Sequence, residues 1–314
     1  MTPKQRAIAA FDLRQPDDIA PTFELQFQLS EELLGRKHIT QKELDEAGPN
    51  ERERILETEA ELYVAEAEKL DYSIISATYS PSKKDVLADT VRRIKRLVGE
   101  SRMIAVGGDA TMAIPSGSEM MGLVERIASD PDGLKAELDK AIDWHIDYMR
   151  PLAEAGAEVA IMWSDYCFNT GPFLSPTMFA EFVTPFLARQ IEEYHKLGMY
   201  TVNHTDGNIM PILDQLMTVN ADALHSIDPQ GGMDMVEVKR LVGDKIALCG
   251  NVHCGILQSG TVEQVIADSK RALKDGMPGG GFFFTTSNTP FIGMPLENYL
   301  AMLEVRKEFG RYDR

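Results

Sequence analysis

The feature that most restricts this chain is a strict alternation of eight short β-rich runs with longer stretches of helical periodicity. The runs fall at 21–27 (PTFELQF), 72–78 (YSIISAT), 103–109 (MIAVGGD), 159–165 (VAIMWSD), 199–206 (MYTVNHTD), 221–228 (ADALHSID), 245–252 (KIALCGNV) and 282–288 (FFFTTSN). Helical patterns occupy 41–70, 83–98, 119–155 in two pieces, 176–197, 210–218, 233–242, 262–275 and 295–309. Strands joined through helices pair in parallel and are covered on both faces, which predicts an α/β protein. Eight such units in 314 residues match the count and size of a closed (β/α)8 TIM barrel. The competing architecture, a doubly wound open sheet, carries a glycine-rich phosphate loop after its first strand. Here that position reads Gln28-Leu29-Ser30-Glu31, so the closed barrel is expected.

Local chemistry agrees with these boundaries. Ser175-Pro176 and Met294-Pro295 place proline in a first helical turn, and Thr261 precedes Glu263 and Gln264 as a capping residue would. Glycine pairs at 107–108 and 231–232 and the triple at 279–281 punctuate the joins. No low-complexity linker divides the chain, so residues 1–314 are expected to form one barrel domain with an N-terminal helical extension.

Charge limits the partners. Lys plus Arg number 32 against 49 for Asp plus Glu, a net charge of -17 that repels nucleic acid and anionic membranes. The basic run Arg92-Arg93-Ile94-Lys95-Arg96 lies in a helical pattern and reads as a helix face. No segment approaches the roughly 18 apolar residues of a membrane span. With three cysteines, Cys167, Cys249 and Cys254, a reducing, cytoplasmic setting is expected. The oligomeric state is left open, a homodimer included.

In a (β/α)8 barrel, catalytic groups sit at the C-terminal ends of the strands. Polar residues gather there: Glu24 and Gln26 in the first run, Asp109 ending the third, Asp165 and Tyr166 the fourth, and His204 and Asp206 the fifth. Ser226 and Asp228 end the sixth, Asn251 and His253 the seventh, and Ser287 and Asn288 the eighth. Any one of them could be a solvated strand end or a helix cap. Their convergence argues for a site: His204, Asp206 and Asp165 as catalytic groups, with Glu24, Gln26, Asp109, Tyr166, Ser226, Asn251 and Asn288 lining the substrate pocket. His204 and Asp206 are two apart, so in a strand they share a face and could hold one ion or one substrate group. The same spacing also suits a structural His–Asp hydrogen bond. Cys249 reads as a small core residue, and His225 as structural.

The stretch HTDGNIMPILDQLMTVNADALHSIDP, followed by GDKIALCGNVHCGILQSGT, GGGFFFTTSN and GMPLENYLAM, resembles the uroporphyrinogen decarboxylase-like superfamily. The likeness is good over residues 150–310, including WSDYCFNTGPFLSPTMFAEFVTPF, and weaker before them. It implies the same barrel and two chemistries, porphyrinogen decarboxylation and corrinoid-dependent methyl transfer. The decarboxylases carry an Arg-rich N-terminal segment that grips substrate carboxylates, whereas this chain reads FELQFQLSEELLGRKHI, with only Arg36 and Lys37 in a plausible place. The thiol-activating methyltransferases hold zinc with His-x-Cys on strand 5 and a further Cys near strand 8. Here those places read His204-Thr205-Asp206 and Ser287-Asn288, so a metal would meet a harder set of His204, Asp206 and Asp228, with zinc one candidate. The resemblance thus implies an O-demethylase-type methyltransferase. It would take a methyl group from a methoxylated or methylamine-type molecule and pass it to the cobalt of a separate corrinoid (cobalamin) protein. A carboxy-lyase acting on a small carboxylated substrate is the alternative.

Overall fold

The computed structural model describes residues 1–79, 81 and 83–312. Seven parallel strands form one curled sheet: β1 (Ile74–Ser76), β2 (Met103–Gly107), β3 (Val159–Met162), β6 (Tyr200–His204), β7 (Ala223–His225), β8 (Ala247–Val252) and β9 (Phe282–Thr286), in the order β1-β2-β3-β6-β7-β8-β9. A small antiparallel hairpin, β4 (Cys167–Phe168) and β5 (Gly171–Pro172), follows β3. Each of the seven parallel strands lies inside a predicted run and is shorter than that run, whereas the two hairpin strands lie outside every predicted run.

The first predicted run is not a ladder strand, yet it occupies the eighth place. Ser73 N donates to Thr22 O at 2.7 Å, and Phe284 N donates to Pro21 O at 2.9 Å, so this segment bridges β1 and β9. Pro21 has no N–H to give. Side chains supply what the backbone lacks: Thr22 Oγ1 donates to Phe284 O, and the Ser76 and Thr78 hydroxyls donate to the Glu24 and Leu25 carbonyls. The barrel is closed without a regular eighth strand.

Period-two alternation sorts the side chains into two layers. Phe23, Leu25, Ile74, Met103, Ala105, Val159, Ile161, Val202, Ala223, Ala247, Cys249 and Phe283 fill the barrel interior. Its lower end is plugged by the helix Pro3–Phe11 through Ala7, Ala10 and Phe11, whose ring stacks on Tyr200 at 4.5 Å between centroids. The opposite strand faces, among them Ile104, Val106, Ala160, Met162, Leu248 and Phe284, pack under the outer helices.

Proline explains two departures from the predicted helices. The 41–70 pattern is two helices, Gln41–Glu46 and Pro49–Leu70, and 176–197 is Pro176–Phe182 and Thr184–Lys196. Pro49 and Pro185 each open the second helix, where a missing N–H costs nothing. The basic run is anchored rather than free: Arg93 pairs with Glu53, Glu57 and Asp89, and Arg96 with Glu57. Among the described residues no helix is long and apolar enough to cross a membrane.

The loop after the short helix Ser30–Leu34 is pinned to the helix Pro49–Leu70 by one buried imidazole. His38 Nδ1 lies 2.8 Å from Glu59 Oε1, and its Nε2 lies 3.1 Å from Glu66 Oε1. Burial works against the charged ring, but the hydrogen bonds to Glu59 and Glu66 outweigh it and bring its pKa to about 9. A histidine raised in the fold contributes stability that is complete below its unfolded value near 6.5 and is lost as pH climbs through 9. Scanning calorimetry should therefore show Tm falling by at least about 3 °C between those two pH values, and His38→Gln should shrink that fall. An equal fall in both proteins would remove this pair of contacts as its cause.

Candidate active site

The inward positions of the strands carry their alternation past the apolar core to the mouth. Val202 is followed on its face by His204, Ala223 by His225, Phe283 by Thr285, and Ile161 by Trp163 beyond the end of β3. Trp163 is 41% exposed, and a Cβ on Gly107 would lie 2.3 Å from its ring, so the indole rests over the bare end of β2.

Three side chains converge. His204 Nε2 lies 3.8 Å from Asp165 Oδ1 and 3.8 Å from Asp206 Oδ1. One ligand atom from each lies within 4.8 Å of the others. These separations are too long for direct hydrogen bonds and short enough for a shared ion or a substrate atom between them. The expected sharing of one face by His204 and Asp206 thus appears with a gap in place of a His–Asp hydrogen bond. Asp206 N donates to Asp165 Oδ1 at 2.9 Å, which locks the two carboxylates in register. Asn288 donates to Asp206 Oδ2, while Oδ1 is buried without a hydrogen-bond partner. Burial raises the Asp206 carboxyl above the usual carboxylate range; His204 pulls it down, and Asp165 and Asp228 push it further up. The donor set of one imidazole and two carboxylates, with an orphaned buried oxygen aimed at the gap, fits a borderline or hard divalent ion such as zinc.

The other predicted site residues have different work. Asp228 lies outside the trio: its Oδ2 accepts from Gly207 N at 3.1 Å and its Oδ1 from Gln230 N at 2.9 Å, capping the turn after β7. Asp109 braces the loop after β2, accepting from Thr111 N and Ser164 N. Tyr166 is fully buried, its hydroxyl paired with Thr111 Oγ1. Ser226 donates to Ser287 O, and Asn251 is held between Ile227 O and Arg271. Glu24 faces away from the mouth, because its neighbours Phe23 and Leu25 take the interior positions. Its carboxyl sits behind the barrel wall on Thr286 and Tyr299, and burial lifts its pKa to about 8. Gln26, half-buried, donates to Thr78 O and accepts from Gln28. Among the predicted pocket residues, Asn288 donates to Asp206, and the Ser226 side chain lies close enough to the same carboxyl to lower its pKa.

Two contributors were passed over in the sequence. His225, set aside as structural, has its Nδ1 2.9 Å from His204 Nδ1, and Thr285 Oγ1 lies 3.2 Å from its Nε2. The available signal was register: His204 and His225 are paired across neighbouring strands. Burial and the nearby His204 hold His225 well below the ordinary imidazole range.

The mouth is held in shape by Gly207, which has φ +81° just after the trio. A Cβ there would lie 2.6 Å from the carbonyl oxygens of Cys167 and Phe168 on the hairpin. Gly207→Ala is expected to destabilise by about 2 kcal/mol through both the left-handed backbone and the collision. A chemical denaturation midpoint equal to wild type would refute this.

A closed parallel barrel with titratable side chains gathered at one mouth is the layout of the (β/α)8 enzymes. Within that class, a family model described as uroporphyrinogen decarboxylase (URO-D) matches residues 60–309, and the chain belongs to that family. It is 28% identical over 234 residues to uroporphyrinogen decarboxylase from Pseudoalteromonas translucida (strain TAC 125), a match covering 70% of this chain and 62% of that protein. It is also 27% identical over 184 residues to methylcobamide:CoM methyltransferase MtaA from Methanosarcina barkeri, covering 57% of this chain and 53% of that one. The chain thus spans under two thirds of the length of the first of these relatives. A methyltransferase from Methanosarcina mazei has the same fold, with a TM-score of 0.75 at 21% identity, covering 98% of this chain and 99% of that one.

Proposed function

We propose that this protein is a methyltransferase that moves a methyl group from a methoxylated or methylamine-type small molecule to the cobalt of a partner protein's corrinoid. The observation that carries the reading is the anionic character of the mouth. Asp165 and Asp206 face a common gap, and among the described residues no lysine or arginine is ion-paired with either of them or with Asp228. A polycarboxylate needs guanidinium groups at such a mouth. The basic residues nearest the closing segment are engaged elsewhere: Arg36 donates to Thr58 O, and Lys37 pairs with Glu31. The decarboxylase relatives support carboxy-lyase activity as the second reading, and the charge of the mouth speaks against it.

Methyl transfer breaks a C–O or C–N bond and leaves the electron pair on the departing heteroatom, which needs a proton or a Lewis acid. The partner's cobalt accepts the methyl group, so this chain supplies no nucleophile. Asp206 suits the proton role, since its half-buried carboxyl is held above the usual range and its buried Oδ1 faces the gap. A divalent ion held by Asp165, His204 and Asp206 would serve the same end as a Lewis acid. Trp163, 41% exposed just past the end of β3 and resting over Gly107, offers a flat face for an aromatic methyl donor.

Reduced corrinoid protein, the purified enzyme and a panel of methoxyaromatics and methylamines should give the absorbance change of cobalt methylation with at least one donor. If none reacts while a porphyrinogen loses CO2, the lyase reading takes its place. Asp206→Asn keeps shape and removes charge, and is expected to slow turnover roughly 100-fold. Near-normal turnover in both Asp206→Asn and His204→Ala would take the pair out of the mechanism.

A further inference from the structure

We infer that Thr285 and His225 are positioning residues, forming a buried chain that decides which nitrogen of His204 offers its lone pair to the mouth. The direction of the chain follows from counting protons. The Thr286 carbonyl can only accept and lies nearer the Thr285 hydroxyl, 2.9 Å against 3.2 Å for His225 Nε2, so the hydroxyl gives it its single proton. Thr285 Oγ1 then accepts from His225 Nε2–H across 3.2 Å. His225 is fully buried, and its hydrogen-bond partners among the described residues, His204 and Thr285, include no anion. A buried ring without an anionic partner stays neutral and carries one proton, which Nε2 already holds. Its Nδ1 is therefore an acceptor, and His204 Nδ1 must be the donor across 2.9 Å.

His204 Nε2 is left bare, 3.8 Å from a carboxylate oxygen of Asp165 and from one of Asp206. A lone pair and two carboxylates facing one gap repel each other unless a proton or a cation sits among them. The chain thus sets His204 to receive positive charge from the mouth side, with Thr285 acting through two rings. This deepens the proposed reading of the trio as the proton or cation site and rests on it.

Two-bond 15N correlation spectra of the wild-type imidazoles at about pH 8, above the ordinary histidine range, test the chain without any variant. His204 should carry a proton at Nδ1, and His225 should carry its proton at Nε2 and be bare at Nδ1. Thr285→Val removes the hydroxyl while keeping shape. It should mix the His225 tautomers and weaken Co2+ binding, followed by its visible absorption, roughly tenfold, with Thr285→Ser restoring both. A wild-type His204 bare at Nδ1 overturns the inference, and so does a folded Thr285→Val protein with unchanged tautomers. Because the imidazole spectra need neither donor nor metal, the expected tautomers together with no Co2+ binding would sustain the chain while removing the metal form of the proposed site.

Discussion

The structure depends on one closure: the segment through Pro21 to Leu25 stands between the last strand and the first and bonds to both. A parallel sheet left open there would expose a row of unpaired backbone groups on β1 and β9 and leave the apolar interior unsealed. The segment is irregular because proline lacks a donor, and hydroxyl groups on Thr22, Ser76 and Thr78 make up the difference. Once closed, the barrel forces every second side chain inward. That is why His204, His225 and Thr285, from three different strands, reach one layer above the apolar core.

The resulting site is divided into a wet half and a dry half. Asp165, Asp206 and Trp163 face the opening, while His225 and Thr285 lie beneath His204 with no exposure to solvent. His204 links the two, with one ring nitrogen toward the carboxylates and the other toward the buried ring. Charge admitted from above is thus met by a polar column whose hydrogen-bonding capacity is already committed below, a form of preorganisation. Uroporphyrinogen decarboxylases and a methyltransferase are both among the proteins this chain is similar to, and among the described residues no lysine or arginine is paired with Asp165 or Asp206 at this acidic mouth.

The alternation of strands and helices was legible in the sequence because it rests on local periodicity, and seven of the expected runs contain a parallel strand. The meeting of His204 and Asp206 was legible for the same reason, since two residues apart is a statement about one strand. Glu24 was harder. Its charge drew it toward the mouth, whereas Phe23 and Leu25 claim the interior on either side of it. Asn251, Ser226 and Asp228 also sit at strand ends, but their polar atoms are engaged by Ile227 O and Arg271, by Ser287 O, and by Gly207 N and Gln230 N, and most of these partners lie too far along the chain for a local pattern to report. His225 was missed because its role depends on the register between two strands. The two-residue strands of the hairpin are too short to show any period.

The plug at the lower end ties the beginning of the chain to its end. Phe11 packs 4.8 Å from Phe283, and Pro21 and Thr22 bond to Phe284, residues made only after some 260 others have been joined. During synthesis the first strand-like segment can meet β1 early, but its other edge and the ring of Phe11 lack their final partners until β9 emerges. The nascent protein therefore carries an unsealed apolar interior through nearly all of its elongation, and its interior contacts of high sequence separation form last. Shielding of that growing surface, rather than the finished barrel's stability, becomes the step at which such a chain is most exposed to aggregation.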